Sequence, residues 1–290
     1  MAKSSLRYVR YAVEAAIVYP LFVFSWVMPT AVASAIGGLL GDVFCRLHTG
    51  TNRARINLQK AMPERRDEHE AIIRGMWRNL GRVLMEYPHL SRLWRSGRVI
   101  VNGIEQISAY QGKPCIFVAA HLANWECAPM VAQRSGWRLA TIYRPLNNPF
   151  IDPLLRFARR TTTDLLFPKS SEGAMALIRY IRTGGSAGVL MDQRLGDGIT
   201  VPFFGLPALS PPLAATLAVK YGVTIFPVRM ERLGGCRQRA TVYPPLSQPT
   251  EGTEAEKINS MTTAVYALFE EWIRARPEQW LWLHDRWRPR

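Results

Sequence analysis

The sequence predicts an α/β fold of the layered type, preceded by a membrane-associated helical segment at the N-terminus. Three observations carry this reading. After Gly97, short apolar runs alternate with helix-length segments, the texture of strands layered against helices. Between Ala15 and Leu40 no residue is charged. Apolar residues make up 48% of the 290 positions, which supplies a core and excludes a disordered polymer.

The uncharged run reads AAIVYPLFVFSWVMPTAVASAIGGLL, and a bilayer span takes about 20 apolar residues. Lys3, Arg7 and Arg10 precede it and Arg46, Arg53 and Arg55 follow, so flanking charge sets no orientation. Pro20 and Pro29 are expected to interrupt its helix, and Gly37, Gly38 and Gly41 to loosen its end. A bent segment in one leaflet and a straight span both satisfy these features. A cleaved signal segment ending at Ala33-Ser34-Ala35 and a buried core helix are the alternatives. Glu14 at the start of the run, and its continuation past Ala35, weigh against the first. Residues 1–50 are therefore read as an anchor segment. Residues 51–290 form the main domain, with a helical lead-in over 51–98.

The lead-in begins polar and basic. Ile72, Ile73, Met76, Trp77, Leu80, Val83 and Leu84 then recur at three- and four-residue spacing, which predicts a helix from about Asp67 to Tyr87 with Arg74, Arg78 and Arg82 on its other face. Strands are expected at Cys115–Ala120, Leu139–Tyr143, Asp164–Phe167, Gly188–Met191, Thr224–Val228 and Ala240–Tyr243. Helices are expected at Asn124–Gln133, Pro149–Arg160, Glu172–Arg182, Leu213–Lys220 and Glu254–Ala275.

Charge is the unusual feature of the composition. Lys and Arg number 37 against 22 Asp and Glu, a net of +15, so the natural partners are anionic. Cys45, Cys115, Cys127 and Cys236 are widely spread and form no C-x-x-C pair, against a disulfide scaffold or zinc ribbon.

Chemistry concentrates in CIFVAAHLANWECAP. His121 follows an apolar strand, and functional residues in α/β sheets gather at strand carboxyl ends. Glu126 lies five positions on, and the two side chains can meet only if His121 precedes a helix whose first turn holds Glu126. Asn124 suits the cap between them. A carboxylate on one imidazole nitrogen would strengthen the other as a base. No Gly-x-Ser-x-Gly nucleophile is present, so direct attack by a substrate hydroxyl is the economical chemistry. His48, His69, His89 and His284 are not expected to cluster with His121, and no zinc set is formed. Asp192 and Gln193 follow another expected strand. Arg144, Arg156, Arg159 and Arg160 form a basic set around one expected helix, with a merely solvated face as the alternative for Arg156 and Arg160, and Asn147 and Asn148 read as a turn and helix cap. Phe203 and Phe204 read as core or as the wall of an apolar pocket. The Trp- and Arg-rich end, with Trp272, Trp280, Trp282, Trp287, Arg286 and Arg290, suits a membrane interface or single-stranded nucleic acid, with several of the tryptophans in the core.

Five blocks in order, HLANWE (121–126), IYRPLNNPFID (142–152), LMDQR (190–194), VPFFG (201–205) and EQWLWLHDRW (278–287), resemble the lipid A biosynthesis lauroyl/myristoyl acyltransferase family. That family shares the H-x4-D/E motif with glycerol phosphate acyltransferases. The resemblance runs from the apolar segment to the C-terminus. It implies an acyltransferase domain with a central mixed sheet flanked by helices. It also implies transfer of a fatty acyl chain from acyl carrier protein to a hydroxyl of a lipid A precursor, without cofactor, at the cytoplasmic face of the inner membrane. His121 then matches the general base and Glu126 its carboxylate partner, while Asn124, Arg144, Arg159, Asp192 and Gln193 are the candidate substrate-binding residues. In one departure, Asp285 follows His284 where the family often carries a basic residue. The same chemistry on another glycolipid, such as a phosphatidylinositol mannoside, is the second reading. A non-catalytic nucleic-acid-binding protein is a distant third, since it leaves the His121–Glu126 placement unexplained.

Overall fold

The computed structural model describes the backbone of residues 2–288 and the side chains of residues 7–288; Arg290 and the side chain of Lys3 lie outside the described residues. The chain opens with four helices, α1 (Ala2–Val27), α2 (Thr30–Leu47), α3 (Gly50–Ala61) and α4 (His69–Glu86), then the short α5 (Leu90–Arg95). The α/β part follows as β1 (Val99–Asn102), α6 (Glu105–Ser108), β2 (Cys115–Ala119), α7 (Ala128–Arg134), β3 (Leu139–Tyr143), α8 (Asp152–Arg159), β4 (Leu165–Pro168), α9 (Ser171–Arg182) and β5 (Ser186–Leu190). It closes with β6 (Ile199–Phe203), β7 (Leu206–Ser210), α10 (Leu213–Tyr221), β8 (Thr224–Gly234), β9 (Arg237–Val242) and α11 (Glu254–Ala275).

Among the described residues, seven strands form one sheet in the order β1-β9-β8-β2-β5-β3-β4, and β6 and β7 form a separate hairpin. The sheet is mixed: β8, β2, β5, β3 and β4 run parallel to one another, while β9 pairs antiparallel with β8. Strand β2 is buried on both faces, as a central parallel strand should be. Its alternation feeds two cores. Ile116 and Val118 pack with α10, α11 and the tryptophan-rich end, and Phe117 and Ala119 pack with α5 and α7.

The apolar N-terminal run is not one helix broken at Pro20. Pro20 lies inside α1, and the chain breaks at Met28-Pro29. A proline preceded by a non-helical residue starts α2 more readily than it interrupts α1. Gly37, Gly38 and Gly41 do not loosen the end of α2; they are buried where it meets α4. A Cβ on Gly37 would stand 2.4 Å from the Gly81 carbonyl, one on Gly41 2.2 Å from that of Trp77, and one on Gly81 2.0 Å from that of Gly37. Glycine is what lets these backbones touch. Helix α4 is thereby buried on two sides. Its predicted apolar face holds Ile72, Ile73, Met76 and Val83, but Leu84 is exposed. Both α1 and α2 have the length and apolarity to cross a membrane.

The two phenylalanines of VPFFG, Trp272 of α11 and the three tryptophans of the end block are core. Phe203 stacks on Trp287, and Arg286 is buried between Phe203 and Tyr266, donating to Leu209 O and Ser210. Neither an acyl-chain pocket nor an exposed aromatic surface is made from them.

Candidate active site

Strands β2, β5, β3 and β4 end at one edge of the sheet. The β2–β5 register pairs Ala119 with Leu190. Two residues beyond each, His121 and Asp192 meet. Imidazole Nδ1 lies 2.7 Å from Asp192 Oδ1, and the His121 backbone N–H donates to Oδ2 at 3.0 Å. Trp280 Nε1 donates to the same oxygen at 2.7 Å. Asp192 is 2% exposed. Burial opposes its charge, but the His121 ring and the two N–H donors outweigh burial and hold the carboxyl at about 2. The ionised carboxylate assigns the proton to Nδ1 and leaves Nε2 as the basic nitrogen.

Gln193 Nε2 lies 3.1 Å from His121 Nε2 and 2.6 Å from His284 Nε2. His284 therefore does gather with His121, contrary to the sequence expectation. Their ring centroids are 6.0 Å apart. The end block delivers it. Leu122 and Trp280 form an antiparallel bridge, Ala123 N–H donates to Gln279 O at 3.0 Å, and Leu281 N–H donates to His121 O at 3.2 Å. Burial first, then the neighbouring His121, pushes His284 down to about 4, so it is neutral at neutral pH and accepts the Gln193 N–H.

Glu126 does not orient His121 as expected. Arg159 takes its carboxylate in a fork, Nε to Oε2 at 2.9 Å and Nη2 to Oε1 at 2.6 Å. Tyr87 and Trp125 Nε1 also donate to Oε1. The cause is local. Residues 125–127 form a tight 3-10 turn instead of an α-helical first turn, and a half-buried guanidinium is a stronger partner than an imidazole. Burial opposes the charge of Glu126, yet Arg159 keeps its pKa below the usual carboxylate value. The Asn124 side chain caps nothing and does not line the cavity beside His121. It is fully buried and donates to Glu86 Oε2 at 2.8 Å. Glu86 is itself clasped by Arg232 at 2.5 and 3.0 Å and by Ser34 of α2 at 2.7 Å.

A cavity of about 870 Å³ lies beside His121. His121, Glu126, Arg159, Gln193 and His284 lie on its polar side, and Phe117, Trp125, Ile142, Leu146, Val189 and Leu213 are among its apolar walls. Exposed Arg144 also lines it. The β3–β4 register, Tyr143 opposite Pro168, brings exposed Lys169 beside Arg144. Sequence reasoning missed Lys169; its one signal is its position just past an expected strand. Asn148 lies outside the cavity, donating to Tyr11 O and Glu14 of α1 at 2.9 Å each. Arg156 stacks over Tyr143 instead of standing free. Among the described residues, no group of three or more His, Cys, Asp or Glu could hold a metal.

A histidine held by a buried carboxylate at the carboxyl ends of the strands, beside a largely apolar cavity, can take a proton from a group bound there. The chain belongs to the bacterial lipid A biosynthesis acyltransferase family, whose model matches residues 1–289. It is 26% identical to the lipid A biosynthesis lauroyltransferase of Escherichia coli K12, over 95% of this chain and 94% of that protein. It is 24% identical to the palmitoleoyltransferase of the same strain, over 82% and 78%. Among solved structures, the 1-acyl-sn-glycerophosphate acyltransferase PlsC of Thermotoga maritima aligns with a TM-score of 0.42 at 15% identity, covering 83% of this chain and 99% of that one. The protein is thus an enzyme, an acyltransferase of lipid A biosynthesis.

Proposed function

We propose that the protein moves a fatty acyl chain from acyl carrier protein to a hydroxyl of a lipid A precursor at the cytoplasmic face of the inner membrane. His121 is the general base and Asp192 its orienting carboxylate. The single observation that carries this is the His121–Asp192 contact at the polar side of the apolar cavity.

The acceptor hydroxyl takes the place of the Gln193 amide at His121 Nε2. Nε2 removes its proton as the oxygen attacks the thioester carbonyl carbon. The imidazolium formed is stabilised by Asp192 through Nδ1–H. The tetrahedral oxyanion collapses, the C–S bond breaks, and the imidazolium returns its proton to the departing thiolate. Gln193, displaced but adjacent, offers N–H donors to the oxyanion. The groups bonded to His121 are Asp192 and Gln193, neither a nucleophile, which supports transfer without a covalent enzyme intermediate. Glu126 is a positioning residue: it keeps the Arg159 guanidinium in the cavity wall. Arg144 and Lys169 at the mouth suit the phosphates of the acceptor or of the carrier's prosthetic arm. The apolar walls suit the acyl chain. The net charge of +15 suits an acidic carrier and an anionic membrane surface, to which the apolar faces of α1 and α2 attach the chain.

The test is acyl transfer in vitro from a panel of acyl carrier thioesters to a lipid A precursor, with the product read by mass spectrometry. A carrier-dependent mass gain on the precursor is expected. Transfer only to another glycolipid, or only from a non-carrier thioester, would overturn the corresponding half of the proposal.

A further inference from the structure

A second cavity, of about 680 Å³, lies away from the active site and shares no lining residue with it. It forms where the C-terminal end of α2 and the first turn of α3 meet the N-terminal half of α4. Arg46, Arg55, Arg74 and Arg78 line it against two carboxylates, Asp42 and Glu70. Both carboxylates are engaged. Arg78 Nε lies 2.7 Å from each oxygen of Asp42, and Arg55 holds Glu70 at 2.7 and 3.1 Å. Arg46 and Arg74 enter no ion pair or hydrogen bond among the described residues, so the cavity has an uncompensated positive charge.

The surface beside it is apolar. Val32, Leu39, Leu40, Val43, Phe44 and Leu47 are exposed and recur along one stripe of α2. The glycine face of the same helix points the other way, into α4. The stripe ends at Leu47, which is 75% exposed and also lines the arginine cavity. An anionic group held by Arg46 and Arg74 would therefore carry apolar chains, if it has them, onto the stripe. Basic pockets at the ends of apolar helices suit lipid headgroups in this way. A free phosphate would leave the stripe unused.

We propose that this cavity is a binding site for the phosphodiester headgroup of an anionic phospholipid, its acyl chains lying along the exposed stripe of α2. The site is separate from the chemistry and does not depend on the acceptor assigned above. Along α4, Arg74 and the Glu86 that supports the active-site loop are about 18 Å apart, from a rise of 1.5 Å per residue.

The experiment is native mass spectrometry of the full chain in neutral detergent, titrated with phosphatidylglycerol or phosphatidylcholine. One phosphatidylglycerol should be retained at least about tenfold better than phosphatidylcholine. The double variant Arg46→Gln/Arg74→Gln should lose it, while Arg179→Gln/Arg182→Gln, an equal charge loss on exposed α9, should keep it. Circular dichroism confirms that both variants are folded. Equal retention of the two lipids, or equal loss in both variants, would overturn the site. Displacement of phosphatidylglycerol by millimolar inorganic phosphate would overturn the lipid reading, because a ligand held by its chains as well as its phosphate resists that competitor.

Discussion

Two buried carboxylates lie close to one cavity, Glu126 in its wall and Asp192 behind His121, and they have different partners. Asp192→Asn keeps the shape but removes the charge that fixes the His121 tautomer, so kcat should fall about 10²–10⁴-fold in a steady-state acyl-transfer assay. Glu126→Gln acts first on stability. It leaves the Arg159 guanidinium without its counter-charge, and breaking a buried pair costs about 3–5 kcal/mol. The side chain of Arg159 is 22% exposed, which favours the lower end. A lowered melting temperature should accompany its loss of activity. His284 makes a pH prediction. Its folded pKa, about 4, lies below that of a free histidine, so between about pH 6.5 and 4 the unfolded chain binds the proton and the folded chain does not. Stability should fall as pH drops through that window, and His284→Gln should flatten part of the slope in thermal melts.

At the scale of elements, the contact between α2 and α4 decides most. Gly→Ala in a helix is ordinarily stabilising by about 0.5–1 kcal/mol. At Gly81 the sign should reverse, because a Cβ there stands 2.0 Å from the Gly37 carbonyl. The expected cost is about 1–3 kcal/mol, read from urea unfolding in detergent. The loss should reach the active site. From α4, Asn79 donates to Ala123 O at 3.0 Å, and Glu86 accepts from Asn124. Ala123 has a φ of +52°, a conformation that a non-glycine residue holds only when its surroundings impose it. Helix α2, long and apolar enough to cross a membrane, joins this network through Ser34 on Glu86. Removing α1 and α2 should consequently leave an unstable chain instead of a soluble domain, visible as aggregation on size-exclusion chromatography.

Across the whole molecule, what the sequence makes legible is what lies close in it. Helix α11 has the ends expected of it, since Thr253 and Glu256 form a capping box at its start. Strand β3 likewise has its expected ends, Leu139 and Tyr143. The β6–β7 hairpin was not legible. Its turn places Phe204 and Gly205 at φ of +55° and +70°, a geometry usually signalled by Asn-Gly, and prolines interrupt both strands. In the site, His121 was legible from its strand end. Its true partner was not, because Asp192 is 71 positions away and only the β2–β5 register brings it there. Glu126 was the nearer carboxylate in sequence and is the wrong one in space. The direct test of this assignment is NMR of ¹⁵N-histidine-labelled protein, following the downfield Nδ1–H proton of His121. That signal should persist in Glu126→Gln and vanish in Asp192→Asn. Its loss in Glu126→Gln and survival in Asp192→Asn would contradict the account.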